Sequence, residues 1–105
     1  MQHYDEHTNG HEIEAKLNEE FQISLSEART AGYRWMVESA GAPVCRLLEE
    51  VIQPNASGVG GSGTHVWRFE AVAAGTGEIM LGYGRPWEKS AGLARTFVLK
   101  VRADS

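Results

Sequence analysis

The sequence offers few side chains of the types that carry out covalent chemistry. It has one cysteine, Cys45, and one histidine within the apolar-patterned part of the chain, His65. A thiolate nucleophile needs a base beside it, and an enzyme site needs an orienting group for that base. Nothing in the sequence places His65 near Cys45, near a serine nucleophile or near an orienting carboxylate. We therefore interpret Cys45 as a small buried hydrophobe and predict no catalytic residues, so the chain is not expected to be an enzyme.

Three other histidines recur at four-residue spacing near the N-terminus: His3, His7 and His11. On a helix this spacing could hold a metal ion. However, residues 1–10 are polar and have no apolar period, which predicts a disordered N-terminal tail and a folded domain over residues 11–105. The glycines do not open a helix in the manner of a phosphate-binding loop. We expect neither a metal site nor a cofactor.

The bulk properties restrict the possible partners. The chain has 105 residues, 42% of them hydrophobic and 23% charged, and a formal net charge of -4. This length suits one domain, and the negative charge disfavours nucleic acid and anionic membranes as partners. A single cysteine permits no intrachain disulfide, and the polar N-terminus is not a signal peptide. We expect a monomer in the cytoplasm by default, or a periplasmic or secreted protein if a leader was removed.

Apolar and polar residues alternate with a period of two along most of the chain, which is typical of antiparallel strands with one face on a core. The alternating segments are Ile13–Leu17, Phe21–Leu25, Tyr33–Val37, Trp67–Ala71, Ile79–Tyr83 and Leu93–Val101. The stretch Val44–Val51 also fits a helical spacing, but we interpret it as a strand between two prolines. The break at Leu17 is either a hairpin or a bend between sheets. The sequence predicts an all-β, immunoglobulin-like antiparallel β-sandwich of about seven to eight strands.

Strand counting places the longest connections together. In an antiparallel sandwich, successive connections alternate between its two ends. Ser26–Gly32, Gln53–Gly63 and Gly84–Gly92 should therefore share one end, and the short connections Ser39–Pro43 and Ala74–Gly77 the other. Long loops gathered at one end of a rigid scaffold commonly carry binding function.

These three loops contain short motifs in a defined order: Thr30-Ala31-Gly32-Tyr33 followed by Trp35, the glycine run from Gly58 to Gly63, and Arg85-Pro86-Trp87. From about Gly10 to the C-terminus, the chain resembles the chagasin-like inhibitors of papain-type cysteine proteases. Their loops carry Asn-Pro-Thr-Thr-Gly-Phe/Tyr, Gly-x-Gly-Gly and Arg-Pro-Trp/Phe. Ala28 and Arg29 stand where that family has Asn-Pro, and Ala31 stands where it has the second threonine.

The resemblance implies a reversible, non-covalent inhibitor whose three loops wedge into the catalytic cleft of a papain-family cysteine protease. The implied protease-binding residues are Thr30, Ala31, Gly32, Tyr33, Gly58, Gly60, Gly61, Ser62, Gly63, Arg85, Pro86 and Trp87. The glycine motif can be read in two registers, Gly58–Gly61 or Gly60–Gly63. The run could also be a plain flexible linker. An alternative function is an immunoglobulin-like adhesion or assembly module with no protease target.

Trp35 and Trp67 lie on apolar strand faces, so both are expected in the core. Tyr33, at the exit of the first loop, could belong either to the core or to the contact surface. Trp87 follows a proline in a loop, where burial is harder, so we expect it to contact a partner.

Overall fold

A computed structural model describes residues 1–28, 32–54, 62–85 and 94–104 of the chain. The strands are β1 (Gln2–Tyr4), β2 (Glu12–Lys16), β3 (Glu20–Ala28), β4 (Arg34–Ala40), β5 (Cys45–Pro54), β6 (Ser62–Ala71), β7 (Gly75–Gly84) and β8 (Arg95–Asp104), with one 3-10 turn at Glu6–Thr8. None of the helical structure in these ranges is long and apolar enough to cross a membrane.

The strands form two four-stranded sheets, in the orders β1-β3-β6-β5 and β2-β8-β7-β4. The predicted all-β sandwich is therefore confirmed. The Leu17 break is a bend between sheets, because β2 and β3 belong to different sheets. The pairing is not wholly antiparallel, since β1 runs parallel to β3 and β2 runs parallel to β8. Parallel neighbours need a crossover rather than a hairpin, and here the chain reaches them by changing sheets.

The prediction of a disordered tail over residues 1–10 is wrong in this structure. Gln2–Tyr4 pair with Phe21–Ile23, and the next turn is capped by Asp5, whose Oδ1 accepts a 2.9 Å hydrogen bond from the His7 N–H. Asn9 then joins the other sheet, where its Oδ1 accepts a hydrogen bond from the Val98 N–H at 2.8 Å. Backbone pairing and capping hold the segment, so hydrophobic periodicity gave no sign of it.

The inward-facing residues of both sheets form one core, as the alternation predicted. Its members are Ala15, Phe21, Ile23, Leu25, Trp35, Val44, Cys45, Trp67, Phe69, Ala71, Ile79, Leu81, Phe97, Leu99, Val101 and Ala103. Trp35 and Trp67 are 5% and 0% exposed, which confirms their predicted place in the core.

The ambiguous stretch Val44–Val51 is mostly strand, and its irregular apolar spacing has a local cause. In the β5–β6 ladder Leu47 faces Phe69 while Glu49 faces Arg68, so Leu48 is an extra residue on β5. Such a β-bulge breaks the period of two and shifts the alternation by one residue. Glu50, beyond the bulge, consequently faces Trp67.

Gly77 is packed too closely to carry a side chain. A Cβ at this position would lie 2.5 Å from the Gly41 carbonyl oxygen and 3.1 Å from the Val44 Cβ. We expect Gly77→Ala to lower the free energy of unfolding by about 1–3 kcal/mol, because the neighbouring backbone has to shift. Urea denaturation measures this loss, with Thr76→Ala, an exposed neighbour on β7, as the control. Equal stability of the two variants would show that the backbone at Gly41 moves aside without a loss of free energy.

Candidate functional site

Six strand ends meet at one end of the sandwich. In one sheet Ala28 faces Ser62 and Pro54 faces Gly63, so β3 and β5 end where β6 begins. In the other sheet β4 begins at Arg34, opposite Gly84 at the end of β7, and β8 begins alongside. The three long connections therefore leave from the same end, as strand counting predicted.

Hydrogen bonds from Trp35 join the two sheets at this end. Its backbone N–H donates to Glu27 Oε2 at 2.6 Å, and its indole Nε1–H donates to the Ser26 carbonyl oxygen at 3.0 Å. These bonds connect β4 to β3 across the core. They fix the entry and exit of the first loop relative to each other.

The structure describes Gly32, Tyr33, Gly63 and Arg85 of the predicted protease-binding residues, together with the backbone of Ser62. Thr30, Ala31, Gly58, Gly60, Gly61, Pro86 and Trp87 lie outside the described residues. Gly32 has φ +80°, in the left-handed region that favours glycine. The backbone conformation at the end of the first loop therefore favours glycine, independently of the sequence motif.

The first and third loops touch through a stack of side chains. The Tyr33 ring stacks on Tyr83 with centroids 5.5 Å apart, and Tyr83 in turn packs on Trp35 at 5.2 Å. The Arg85 guanidinium lies over the outer part of this stack, 4.7 Å from the Tyr33 ring centroid. A cation over an aromatic face is attractive, so Arg85 supports the exit of the first loop from the start of the third.

The two registers of the glycine motif differ in their relation to the strands. Gly58–Gly61 lies wholly between β5 and β6, whereas Gly60–Gly63 runs into β6, where Gly63 is buried opposite Pro54. The main-chain groups of Gly63 are in the ladder. The register of a protease-contacting glycine motif stays a prediction.

A buried polar group beneath the loops was missed in the sequence. His65 is 2% exposed and Glu27 1% exposed, and His65 Nδ1 lies 2.9 Å from Glu27 Oε2. His65 Nε2 lies 2.6 Å from Glu50 Oε2 on β5. The expectation that no carboxylate orients His65 is therefore wrong. The signal was present in the alternation, since Glu27 continues the inward phase of Phe21–Leu25 and His65 precedes that of Trp67–Ala71.

The cysteine is remote from this histidine. Cys45 starts β5 opposite Ala71, at the other end of the strand from the residues that face His65. Burial raises the pKa of the Cys45 thiol to about 11, which disfavours the reactive thiolate. Cys45 is thus a buried core residue, as predicted.

The described part of the chain contains no group of three histidine, cysteine, aspartate or glutamate side chains placed to hold a metal ion. His3 lies in β1, His7 in the 3-10 turn and His11 just before β2, so the helix that their spacing would have needed is not formed.

Comparison with known proteins gives concordant matches. The family described as chagasin family peptidase inhibitor I42 matches residues 14–101. Amoebiasin-1 of Entamoeba histolytica is 35% identical over 98 residues, covering 91% of this chain and 93% of that protein. The crystal structure of the cysteine protease inhibitor EhICP2 from Entamoeba histolytica superposes with a TM-score of 0.85 at 22% identity, covering 98% of this chain and 94% of that one.

A second solved structure is PbICP-C in complex with falcipain-2. It superposes with a TM-score of 0.65 at 16% identity, covering 98% of this chain and 90% of that one. At such low identity, the two structural likenesses show a shared fold. The relationship in sequence rests on the family match and on the identity to Amoebiasin-1.

Proposed function

This chain belongs to the chagasin family of peptidase inhibitors, and from that premise we propose that it inhibits papain-type cysteine proteases reversibly and without a covalent bond. The inhibitor acts as a monomer and inserts the three loops at one end of the sandwich into the catalytic cleft. The family consists of inhibitors, which agrees with the prediction that the chain is not an enzyme.

The observation that carries this proposal is the convergence of the six strand ends. It gathers the entries and exits of the three motif-bearing loops at one end of the sandwich. A rigid scaffold that presents several loops together has a low ordering cost on binding. Such a face suits a concave partner, as a protease cleft is.

Each loop has a distinct role in the proposal. Thr30, Ala31 and Gly32 lie over the catalytic cysteine and histidine of the protease, where a glycine permits close backbone approach. The glycine-rich loop and the Arg85-Pro86-Trp87 loop clasp the two sides of the cleft. Free backbone groups of glycines can pair with an extended substrate-binding strand, and a tryptophan is a typical anchor at an interface.

The direct test is a titration of papain activity with the purified protein. We expect stoichiometric or near-stoichiometric inhibition that is reversed on dilution, and equal binding to papain whose catalytic thiol is blocked by a small group. Absence of inhibition at micromolar concentrations of the protein, with papain and a cathepsin-like protease, would argue against the proposal and favour the adhesion-module alternative.

Trp87 is expected to be the strongest single anchor of the third loop. Trp87→Ala should weaken papain inhibition by about tenfold to a hundredfold, because truncating an interface tryptophan typically costs 2 kcal/mol or more. Val72→Ala, at an exposed apolar residue in the β6–β7 turn at the opposite end, is the control and should leave inhibition unchanged. Inhibition constants measured by progress curves distinguish the two. Full potency of the Trp87→Ala variant would show that Trp87 does not contribute to the contact with the protease.

A further inference from the structure

Glu27 is a buried carboxylate at the base of the first loop, one residue before the end of β3. Its side chain is completely shielded from solvent, at 0% exposure, and a buried carboxylate is costly unless it is paired and hydrogen-bonded. Oε2 accepts the Trp35 backbone N–H at 2.6 Å and faces His65 Nδ1 at 2.9 Å. The first of these bonds closes the base of the first loop, because Glu27 precedes the loop and Trp35 follows it.

The backbone cannot make this closure by itself. β3 pairs with β1 and β6, whereas β4 pairs with β7 in the other sheet, so no ladder of backbone hydrogen bonds joins the two strands that flank the first loop. The Glu27 carboxylate supplies a link in its place, beside the hydrogen bond from the Trp35 indole to the Ser26 carbonyl oxygen. A bond to a charged acceptor is stronger than a neutral one.

His65 extends the link to the glycine-rich loop. β5 and β6 flank that loop, and the His65 ring on β6 contacts Glu27 on β3 through Nδ1 and Glu50 on β5 through Nε2. The ring also lies flat on Trp67, with centroids 4.0 Å apart and planes 10° from parallel. One imidazole therefore joins three strand ends beneath two loops.

Both ring nitrogens of His65 lie within hydrogen-bond distance of a carboxyl oxygen. The ring is thus held between a fully buried carboxyl group on β3 and a partly exposed one on β5. Glu50, with a side chain 43% exposed, forms the solvent end of the arrangement.

The sequence indicates why such a link is needed. Ala28 and Arg29 stand where chagasin-like inhibitors have Asn-Pro. Proline restricts the backbone and lowers the entropy lost when a loop is held in one conformation. Without it, the first loop depends more strongly on whatever holds its two ends.

We propose that Glu27 is a positioning residue for protease inhibition, which together with His65 and Glu50 holds the bases of the first and glycine-rich loops in their binding arrangement. We call these three residues the Glu27 clamp. The proposal rests on the proposed inhibitory function, but it makes a separate claim about the free protein. The clamp touches no protease atom and acts through the loops.

The test compares Glu27→Gln with two controls. Glu78→Gln removes an exposed carboxylate on β7, and Val101→Ala opens a cavity in the core between Gly77 and Ile13, away from the loops. We expect Glu27→Gln to raise the papain inhibition constant about tenfold, the effect of weakening one charge-assisted hydrogen bond. Val101→Ala should lower the free energy of unfolding, because it leaves a cavity in the core. Its papain inhibition constant should stay within about twofold of that of the unmodified protein, at temperatures where both proteins remain folded, because the effect of the cavity is local.

A spectroscopic measurement on the free inhibitor tests the clamp without any protease. In ¹⁵N-labelled protein, amide exchange at Trp35 should be slow, because its N–H is donated to Glu27, and Glu27→Gln should speed it. Glu50→Gln, at the solvent end, is the second variant if Glu27→Gln does not fold, and it should also raise the papain inhibition constant.

The outcomes separate this proposal from the proposed function. Inhibition that Glu27→Gln leaves within twofold of the unmodified protein, or amide exchange at Trp35 that this variant leaves unchanged, overturns the clamp and leaves the inhibitory function intact. If the unmodified protein fails to inhibit papain, the proposed inhibitory function is refuted. The clamp is then supported if Glu27→Gln speeds Trp35 amide exchange and overturned if exchange is unchanged.

Discussion

Gly32→Glu should weaken inhibition of papain by about a hundredfold or more while the sandwich stays folded. Gly32 adopts φ +80°, where a side chain costs roughly 1–2 kcal/mol of backbone strain. The new side chain would also stand on the loop that has to approach the protease most closely. A hundredfold loss corresponds to about 2.7 kcal/mol of binding free energy, which steric exclusion of one loop readily exceeds.

Gly10→Glu is the matched control for this experiment. Gly10 has φ +81°, so it carries the same backbone strain, and a Cβ there would meet no atom within 4 Å. It lies beside Val98 on β8, not among the loops. Both variants should lose similar stability in thermal melts, and only Gly32→Glu should lose inhibition. If both inhibit equally well, the first loop does not enter the cleft.

Trp67→Ala should produce the largest loss of stability. Trp67 is 0% exposed and lies on β6, the central strand between β3 and β5. Removing a fully buried tryptophan typically costs about 3–5 kcal/mol, through lost burial and the cavity that remains. In a domain of this size, such a loss lowers the melting temperature by more than about 10 °C. Guanidinium denaturation, read by far-UV circular dichroism, measures it.

Trp67→Phe separates ring packing from the polar atom of the indole. A phenyl ring retains an aromatic face for His65, which stacks on Trp67. It also removes the indole N–H, for which the described residues provide no acceptor. We therefore expect a loss well below that of Trp67→Ala. Equal losses for the two variants would mean that a phenyl ring recovers none of the stabilisation that the indole provides.

The strands were predictable because the period-two alternation follows directly from the pleat. The N-terminal segment was not, because β1 is a three-residue edge strand whose order comes from backbone pairing. Burial of side chains leaves a pattern in the sequence, whereas backbone hydrogen bonds and caps such as that of Asp5 leave almost none.

The candidate site was likewise predictable from the sequence only in part. Motif order and strand counting placed the three loops at one end. The stack of Arg85 on Tyr33 could not be foreseen, because it joins two loops that are separated by about half of the chain and are flanked by different strands. The residues Thr30, Ala31, Gly58, Gly60, Gly61, Pro86 and Trp87 keep their predicted roles as hypotheses for the experiments above.

By itself, the sequence determined the all-β fold, the shared end of the long loops and the family resemblance. The alternation also contains Glu27 and His65 in phase with the buried residues, a signal that the sequence-based prediction missed. Only the tertiary structure decided that they meet, because their strands pair in a register that the alternation does not specify. Glu50 joins them because the bulge at Leu48 shifts the phase of β5 and turns its side chain toward His65. A shift of one residue exchanges the two faces of a strand, and it depends on pairing rather than on local pattern.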